Sequence, residues 1–322
     1  MEQQEKIKEI TEKLEKGIED LFESENYKNY LKIMGKFTSY SLNNTLLISM
    51  QKPDSTTVAG YTTWKSLGRQ VKKGEKAIQI LAPIICKKKK ENEETEDKNI
   101  SDRKDKLKPL KEETEKILVG FKVVNVFDIT QTEGEPLPEI VHKLDGSVKE
   151  YDDFMKALKE FSPVPIEFKS VEGSANGYYH LENKNIVIEE NMSQVMHIKT
   201  GIHEITHALL HDKDNGIEKD LKSDIETKEV QAESVAFTVC QYYGIDSSDY
   251  SFGYISGWSS GKDLKELKTS MEVIRKTAQT VISGINEKLE GVKLSRQKGM
   301  EISKSINFPK QEKDLHKRSM KH

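Results

Sequence analysis

Residues 202–210 read Ile-His-Glu-Ile-Thr-His-Ala-Leu-Leu. So apolar a run, interrupted at helical intervals by polar groups, predicts a largely buried helix. That helix sets His203 and His207 four positions apart on one face, about a turn from each other. Two imidazoles so placed can grip one metal ion, and Glu204 between them falls where it can act as a general base. Burying two imidazoles and a carboxylate without an ion would be costly. The segment therefore predicts a zinc centre of the metallopeptidase type.

A zinc centre with an open position needs a third protein ligand. His211 continues the four-residue spacing, but eight residues from His203 is about 12 Å of helix rise, too far to share one ion. It reads instead as a cation at a helix C-terminus. A better source is the segment Glu229-Val-Gln-Ala-Glu233-Ser-Val-Ala-Phe, which begins 22 residues beyond His207. The polar residues 212–224 allow the chain to reverse between the two segments. Glu229 is expected as the third ligand and Glu233 as the group that orients a ligand histidine. The reverse assignment remains open. Tyr254 is a further candidate donor that no spacing fixes.

The formal net charge is −3, which argues against a nucleic-acid partner only if charge is spread evenly. It is not. Between Tyr27 and Lys90 there are thirteen Lys/Arg against Asp54 and Glu75, a local balance of +11. The stretch after Val292 is basic too, with nine Lys/Arg against three Asp/Glu. Cations interleaved with Tyr27, Tyr30, Phe37, Tyr40, Tyr61 and Trp64 suit single-stranded DNA: cations neutralise phosphates and exposed aromatic faces stack on unpaired bases. Most of these aromatics read as core; Tyr61 and Trp64 are the expected stackers, with Lys65, Arg69, Lys72, Lys73 and Lys76 along the strand path. The turn Gly68–Lys76 lacks the spacing of a nucleotide-binding P-loop. The run Lys87–Lys90 reads as the solvated edge of a loop.

Two cysteines, Cys86 and Cys240, exclude a disulfide framework and a cysteine-rich zinc site. No apolar run approaches the roughly 18–20 residues of a membrane span. The opening MEQQEKIKEI has no apolar stretch behind a basic start, so no secretory signal is expected. A soluble chain in a reducing cytoplasm follows from these readings.

The period of Ile7, Ile10, Leu14, Ile18 and Leu21 predicts a first helix, and a second runs from about 26 to 50. Strands are expected near 77–85, 117–127 and 185–189. Helices are expected over 148–161, 193–211, 228–243 and 261–289. Strands and helices mix without strict alternation, which gives an α+β fold in two domains. Of the 30 residues from Lys87 to Lys116, 21 are charged, too polar to offset their ordering entropy, so a mobile insertion is expected.

The HEITH segment and its Glu-bearing partner resemble the zincin-type peptidases of the ImmA/IrrE kind. Together with residues 39–51 (SYSLNNTLLISMQ), 60–83 (GYTTWKSLGRQVKKGEKAIQILAP) and 126–132 (VFDITQT), the chain resembles the ArdC-type antirestriction proteins over roughly 25–290. The resemblance implies an N-terminal domain binding single-stranded DNA, a C-terminal metallopeptidase-like domain, and protection of DNA entering on plasmids or conjugative elements. Expected boundaries are 1–134 for the DNA-binding domain (87–116 being the insertion), 135–147 for a linker, 148–290 for the zincin-like domain and 291–322 for a basic tail. An active zinc endopeptidase cleaving a regulatory protein, with the basic domain serving to target it, is the alternative. No membrane partner is expected.

Overall fold

The computed structural model describes residues 2–89, 114–137, 148–214, 223–245, 250 and 252–306. In chain order the first elements are α1 (Glu2–Glu19), α2 (Ser24–Lys36), α3 (Leu42–Gln51), β1 (Val58–Gly60), α4 (Tyr61–Ser66), β2 (Arg69–Val71), β3 (Ile78–Lys89), β4 (Thr114–Asp128) and β5 (Thr132–Gly134). The remainder comprises α5 (Val148–Phe161), β6 (Ile166–Lys169), β7 (Gly177–His180), β8 (Asn185–Glu189), α6 (Gln194–Leu210), α7 (Ile225–Tyr243), α8 (Ile255–Ser259) and α9 (Leu264–Ile306). This is the mixed helix-and-sheet architecture expected. No helix among the described residues is long and apolar enough to cross a membrane.

Two compact units form: Met1–Pro138 with Phe252–Lys265, and Glu139–Ser251 with Glu266–His322. A division at one point of the chain, such as the expected linker at 135–147, therefore describes neither unit. The cause is aromatic packing: Trp258 meets Phe22 edge-on at 5.7 Å and Phe252 meets Tyr27 at 5.3 Å. These large side chains, all almost wholly buried, draw the α8 segment into the first unit. Residues 138–147 lie outside the described residues.

In the first unit the sheet order is β1-β4-β3, antiparallel throughout. The single helix expected near 26–50 is two helices. Phe37 ends α2 in a non-helical conformation, and Ser41 starts α3 by accepting the Asn44 N–H on its hydroxyl. Helix α3 then covers the outer edge of β3 through two amide side chains. Asn44 exchanges a pair of 2.9 Å hydrogen bonds with the backbone of Leu81, and Gln51 does the same with Gln79 at 2.8 and 3.0 Å. An edge strand whose backbone groups are so satisfied cannot template foreign pairing there.

The charged insertion begins later than expected. Lys87, Lys88 and Lys89 pair with Lys116, Glu115 and Thr114 in the β3–β4 ladder; a ladder supplies backbone bonds whatever the side chains are, so charge alone did not end the strands. Residues 90–113 lie outside the described residues.

Asp128, fully buried, closes the sheet onto the following turn. Its carboxylate accepts the N–H groups of Thr56, Thr57 and Thr130 and the Thr130 hydroxyl, at 2.7–3.0 Å. Gln131 completes the knot, accepting the Asp128 N–H at 2.9 Å and donating to Glu75 and the Lys76 carbonyl. The turn bearing Lys72–Lys76 is thereby tied to the end of β4.

In the second unit β8 lies between β6, parallel to it, and β7, antiparallel. Helix α6 packs against this sheet and against α7. Gly177 opens β7 because nothing larger fits: a Cβ there would sit 2.7 Å from both the Thr200 methyl and the Val187 carbonyl oxygen. Helix α9 runs to Ile306, past the expected end near 289, so the first part of the basic tail is helical. Residues 307–322 lie outside the described residues.

Candidate metal centre

Helix α6 begins at Ser193, whose hydroxyl accepts the Met196 N–H, and buries Ile198, Ile202, Ile205, Ala208 and Leu210. That burial fixes the rotation of the helix, and rotation decides where the polar residues point. His203, Glu204 and His207 all line one cleft of about 650 Å³ in the second unit, opposite β7. Helix α7 starts at Asp224, which caps the Thr227 N–H. Its buried face of Val230, Val235, Ala236 and Phe237 turns Glu229 and Glu233 into the same cleft.

The imidazole Nε2 atoms of His203 and His207 lie 3.1 Å apart. One Glu229 carboxylate oxygen lies 3.4 Å from the first and the other 3.4 Å from the second. Ligands held at ~2.0–2.1 Å on a tetrahedral zinc are separated by roughly 3.3 Å. The donor spacing therefore fits such an ion without rearrangement, and the chemistry of two imidazoles and a carboxylate fits it as well. His203, His207 and Glu229 together form a group able to hold a metal ion. Glu233 sits on the outer side, 3.3 Å from Nδ1 of His203.

The electrostatics follow from this crowding. Burial works to lower the His203 pKa, but the Glu229 and Glu233 carboxylates override it and hold the group at about 10. Glu229 is correspondingly held well below the usual carboxylate range by His203 and His207. Glu204, 8% exposed, is pushed up by burial, against the lowering effect of the neighbouring His203 and His207.

One expectation is corrected here. His211 is not a helix-terminal cation, because burial lowers its pKa to about 4. It contacts Nδ1 of His207 and Oε1 of Gln231 at 2.9 and 2.8 Å. Tyr254 belongs to the first unit. The reading also missed Asp212, 3% exposed, which receives the Tyr179 hydroxyl and, at 2.6 Å, Lys184 Nζ. It ties the end of α6 to the β7–β8 hairpin.

The residues expected along a DNA path fare unevenly. Trp64 is 1% exposed and its indole N–H donates to the Phe127 carbonyl at 2.9 Å, so it is core and cannot stack on a base. Tyr61, one turn earlier, is 52% exposed. Arg69 is held by the chain itself, donating to Thr132 and to the carbonyls of Gly134 and Glu135. Lys72 donates to the Thr130 carbonyl at 2.9 Å. Lys65, Lys73 and Lys76 are exposed in the same unit.

Comparison with known proteins matches residues 2–127 to the N-terminal domain of the anti-restriction factor ArdC and residues 162–241 to the IrrE N-terminal-like domain of the M78 peptidases. An uncharacterized protein of Bacillus anthracis is 27% identical over 93% of this chain and 54% of its own length. The chain thus spans about half the length of that curated relative. The metal-free crystal structure of the antirestriction protein ArdC of plasmid R388 is similar at 22% identity, covering 79% of this chain and 85% of that one, with a TM-score of 0.45. Its Mn(II)-bound structure is similar at 21% identity, covering 78% and 85%, with a TM-score of 0.43.

Proposed function

From a chain of ArdC-type architecture, an antirestriction-factor N-terminal domain followed by an IrrE-like metallopeptidase domain, we propose a protein that binds single-stranded DNA and protects DNA entering the cell on a plasmid or conjugative element. The observation that carries the proposal is the pairing of that N-terminal domain with three exposed cations, Lys65, Lys73 and Lys76, and an exposed aromatic, Tyr61, in the same unit. Their exposure leaves the cations available to phosphates and the Tyr61 ring to a base. The protein acts in the cytoplasm, where incoming strands meet restriction enzymes.

In the second unit, His203, His207 and Glu229 would hold zinc, and Glu233 would steady His203 from its outer nitrogen. Zinc supplies Lewis acidity for carbonyl polarisation and for ionising water near neutral pH. The chain's own contribution is a base. Glu204 is raised by burial toward the working range of a general acid–base group. It would take the proton of the attacking water and deliver it to the leaving amine.

A second reading is favoured by that intact Glu204, which a purely structural metal does not need. In it the chain is a zinc endopeptidase cutting a regulatory protein, and the basic unit only delivers it. Comparing Glu204→Gln with a Lys65/Lys73/Lys76 triple alanine variant separates the two. Under our proposal Glu204→Gln still protects DNA from restriction and the lysine variant does not. Loss of protection in Glu204→Gln alone, with strand binding intact, would hand the function to the peptidase.

A further inference from the structure

His211 is the residue of the motif segment that the metal reading leaves over: it caps the end of α6, too far along to share the ion, yet its ring nitrogen meets that of His207. Its Nδ1 lies 2.9 Å from Nδ1 of His207, and its Nε2 lies 2.8 Å from Oε1 of Gln231 in α7. Gln231, 1% exposed, donates in turn from its Nε2 to the hydroxyl of Ser270 in α9 at 3.3 Å. We propose that His211 is a positioning residue whose imidazole accepts the Nδ1 proton of His207 and so fixes the tautomer in which His207 offers a bare Nε2 to the metal. The inference rests on the metal reading above and deepens it.

The argument is one of proton direction. A nitrogen–nitrogen contact of 2.9 Å between two imidazoles is bridged by one proton. Were that proton on His211, a neutral His207 would carry its own on Nε2, the atom facing His203 and Glu229, and could not ligate. The amide of Gln231 is arranged for the other direction: with its oxygen toward His211 and its NH₂ toward Ser270, His211 Nε2 is the N–H, and the single proton of that imidazole is used there. Nδ1 of His211 is therefore an acceptor, and His207 Nδ1 is the donor. Every polar atom from the ligand to α9 then points its proton away from the metal.

The two ligand histidines are consequently held by different chemistry. His203 has the Glu233 carboxylate on its outer nitrogen, whereas His207 has a neutral ring backed by an amide and a hydroxyl. Outer partners of this kind orient the ring and tune its basicity. The acceptor is the C-cap residue of α6, one turn beyond His207. Ser270 extends the support to a third helix.

The test is zinc affinity of the full chain, measured by competition against a chromophoric chelator. His211→Ala is expected to bind zinc roughly 10- to 100-fold more weakly. His211→Asn places an oxygen acceptor near the position of Nδ1 and is expected to restore most of that loss. Wild-type affinity in His211→Ala, or an Asn variant no better than Ala, would overturn the inference. Should His211→Ala not fold, ¹⁵N ring spectra of the zinc-loaded wild type decide it. The expected pattern is a proton on His207 Nδ1 and on His211 Nε2; a proton on His211 Nδ1 overturns it. A wild-type chain that takes up no zinc removes the metal reading itself, whereas normal zinc uptake with unaffected variants removes this inference alone.

Discussion

The two units answer differently to the same kind of reading. In the second, residues chosen from spacing alone converge: His203 and His207 four apart on α6, and Glu229 from α7, meet within the 3.1–3.4 Å that one ion demands. In the first, residues chosen from charge and aromaticity scatter, since Trp64 enters the core and Arg69 binds its own chain. The difference lies in what each ligand asks. A metal asks for a few atoms at fixed separations, and a helix encodes those separations in the sequence interval. A polyanion asks only for summed positive potential over a surface, which many arrangements satisfy and no interval specifies.

The contrast can be attacked first at its strongest point. His207→Ala removes one of three protein ligands and is expected to weaken zinc binding on the order of a thousandfold, about a quarter of the ~10–16 kcal/mol that structural zinc supplies. Stoichiometric zinc retained after purification and dialysis of that variant would mean the convergence is not a metal site.

On the other side, the Lys65/Lys73/Lys76 triple alanine variant should lose about a hundredfold in single-strand affinity at 0.1 M salt, with the log–log salt slope shallower by roughly two. Identical slopes for variant and wild type would move the strand path elsewhere. This loss should be nearly independent of base sequence.

Proton linkage sharpens the comparison next. In the metal-free protein His203 is held up at about 10, above its ordinary 6.5, so its contribution to stability is present below 6.5 and disappears as pH rises through about 10. Zinc must displace that proton. Affinity is therefore expected to rise about tenfold per pH unit between roughly 7 and 9, with about one proton released per zinc. Calorimetry in two buffers of different ionisation enthalpy reads the proton count, and a value near zero would contradict the charged pair. Burial lowers His211 to about 4, which has the opposite sign. Its contribution is present above 6.5 and is lost as pH falls toward 4, giving a weakening of the second unit on mild acidification.

The smallest expected effect concerns Trp64. Trp64→Phe loses one buried hydrogen bond to the Phe127 carbonyl and should cost about 1 kcal/mol by denaturant unfolding, with strand affinity unchanged. An affinity loss larger than the stability loss would return Trp64 to the binding surface.

Much of the fold was legible, and the misses have physical causes. The long helices and β8 followed from apolar period, because burial of one face is what stabilises them. The break between α2 and α3 was not seen, although it falls in Gly35-Lys-Phe-Thr-Ser-Tyr-Ser, a stretch poor in helix formers in which Ser41 caps α3. The short strands β1, β2, β5, β6 and β7 carry three or four residues each, too few to establish a period. At the candidate metal centre spacing pointed to His203, His207, Glu229 and the outer Glu233, whereas the groups around His211 were not legible. Gln231 and Ser270 look like ordinary helix residues until tertiary packing brings them to His211. The segment 126–132, part of the family resemblance, proves to be the Asp128–Gln131 knot, which shapes the fold of the first unit.

That knot bears on how the chain reaches its structure. Asp128 and Thr56 are 72 positions apart, and closing a loop of that length costs about 4 kcal/mol in chain entropy beyond a constant term. Strands β3 and β4 share a long ladder of their own. Strand β1, with three residues, offers too few ladder bonds to meet the cost until Asp128 engages several donors at once. Docking of β1 is thus expected late in this unit, and the unfolding rate rather than the refolding rate is where a change at Asp128 would register.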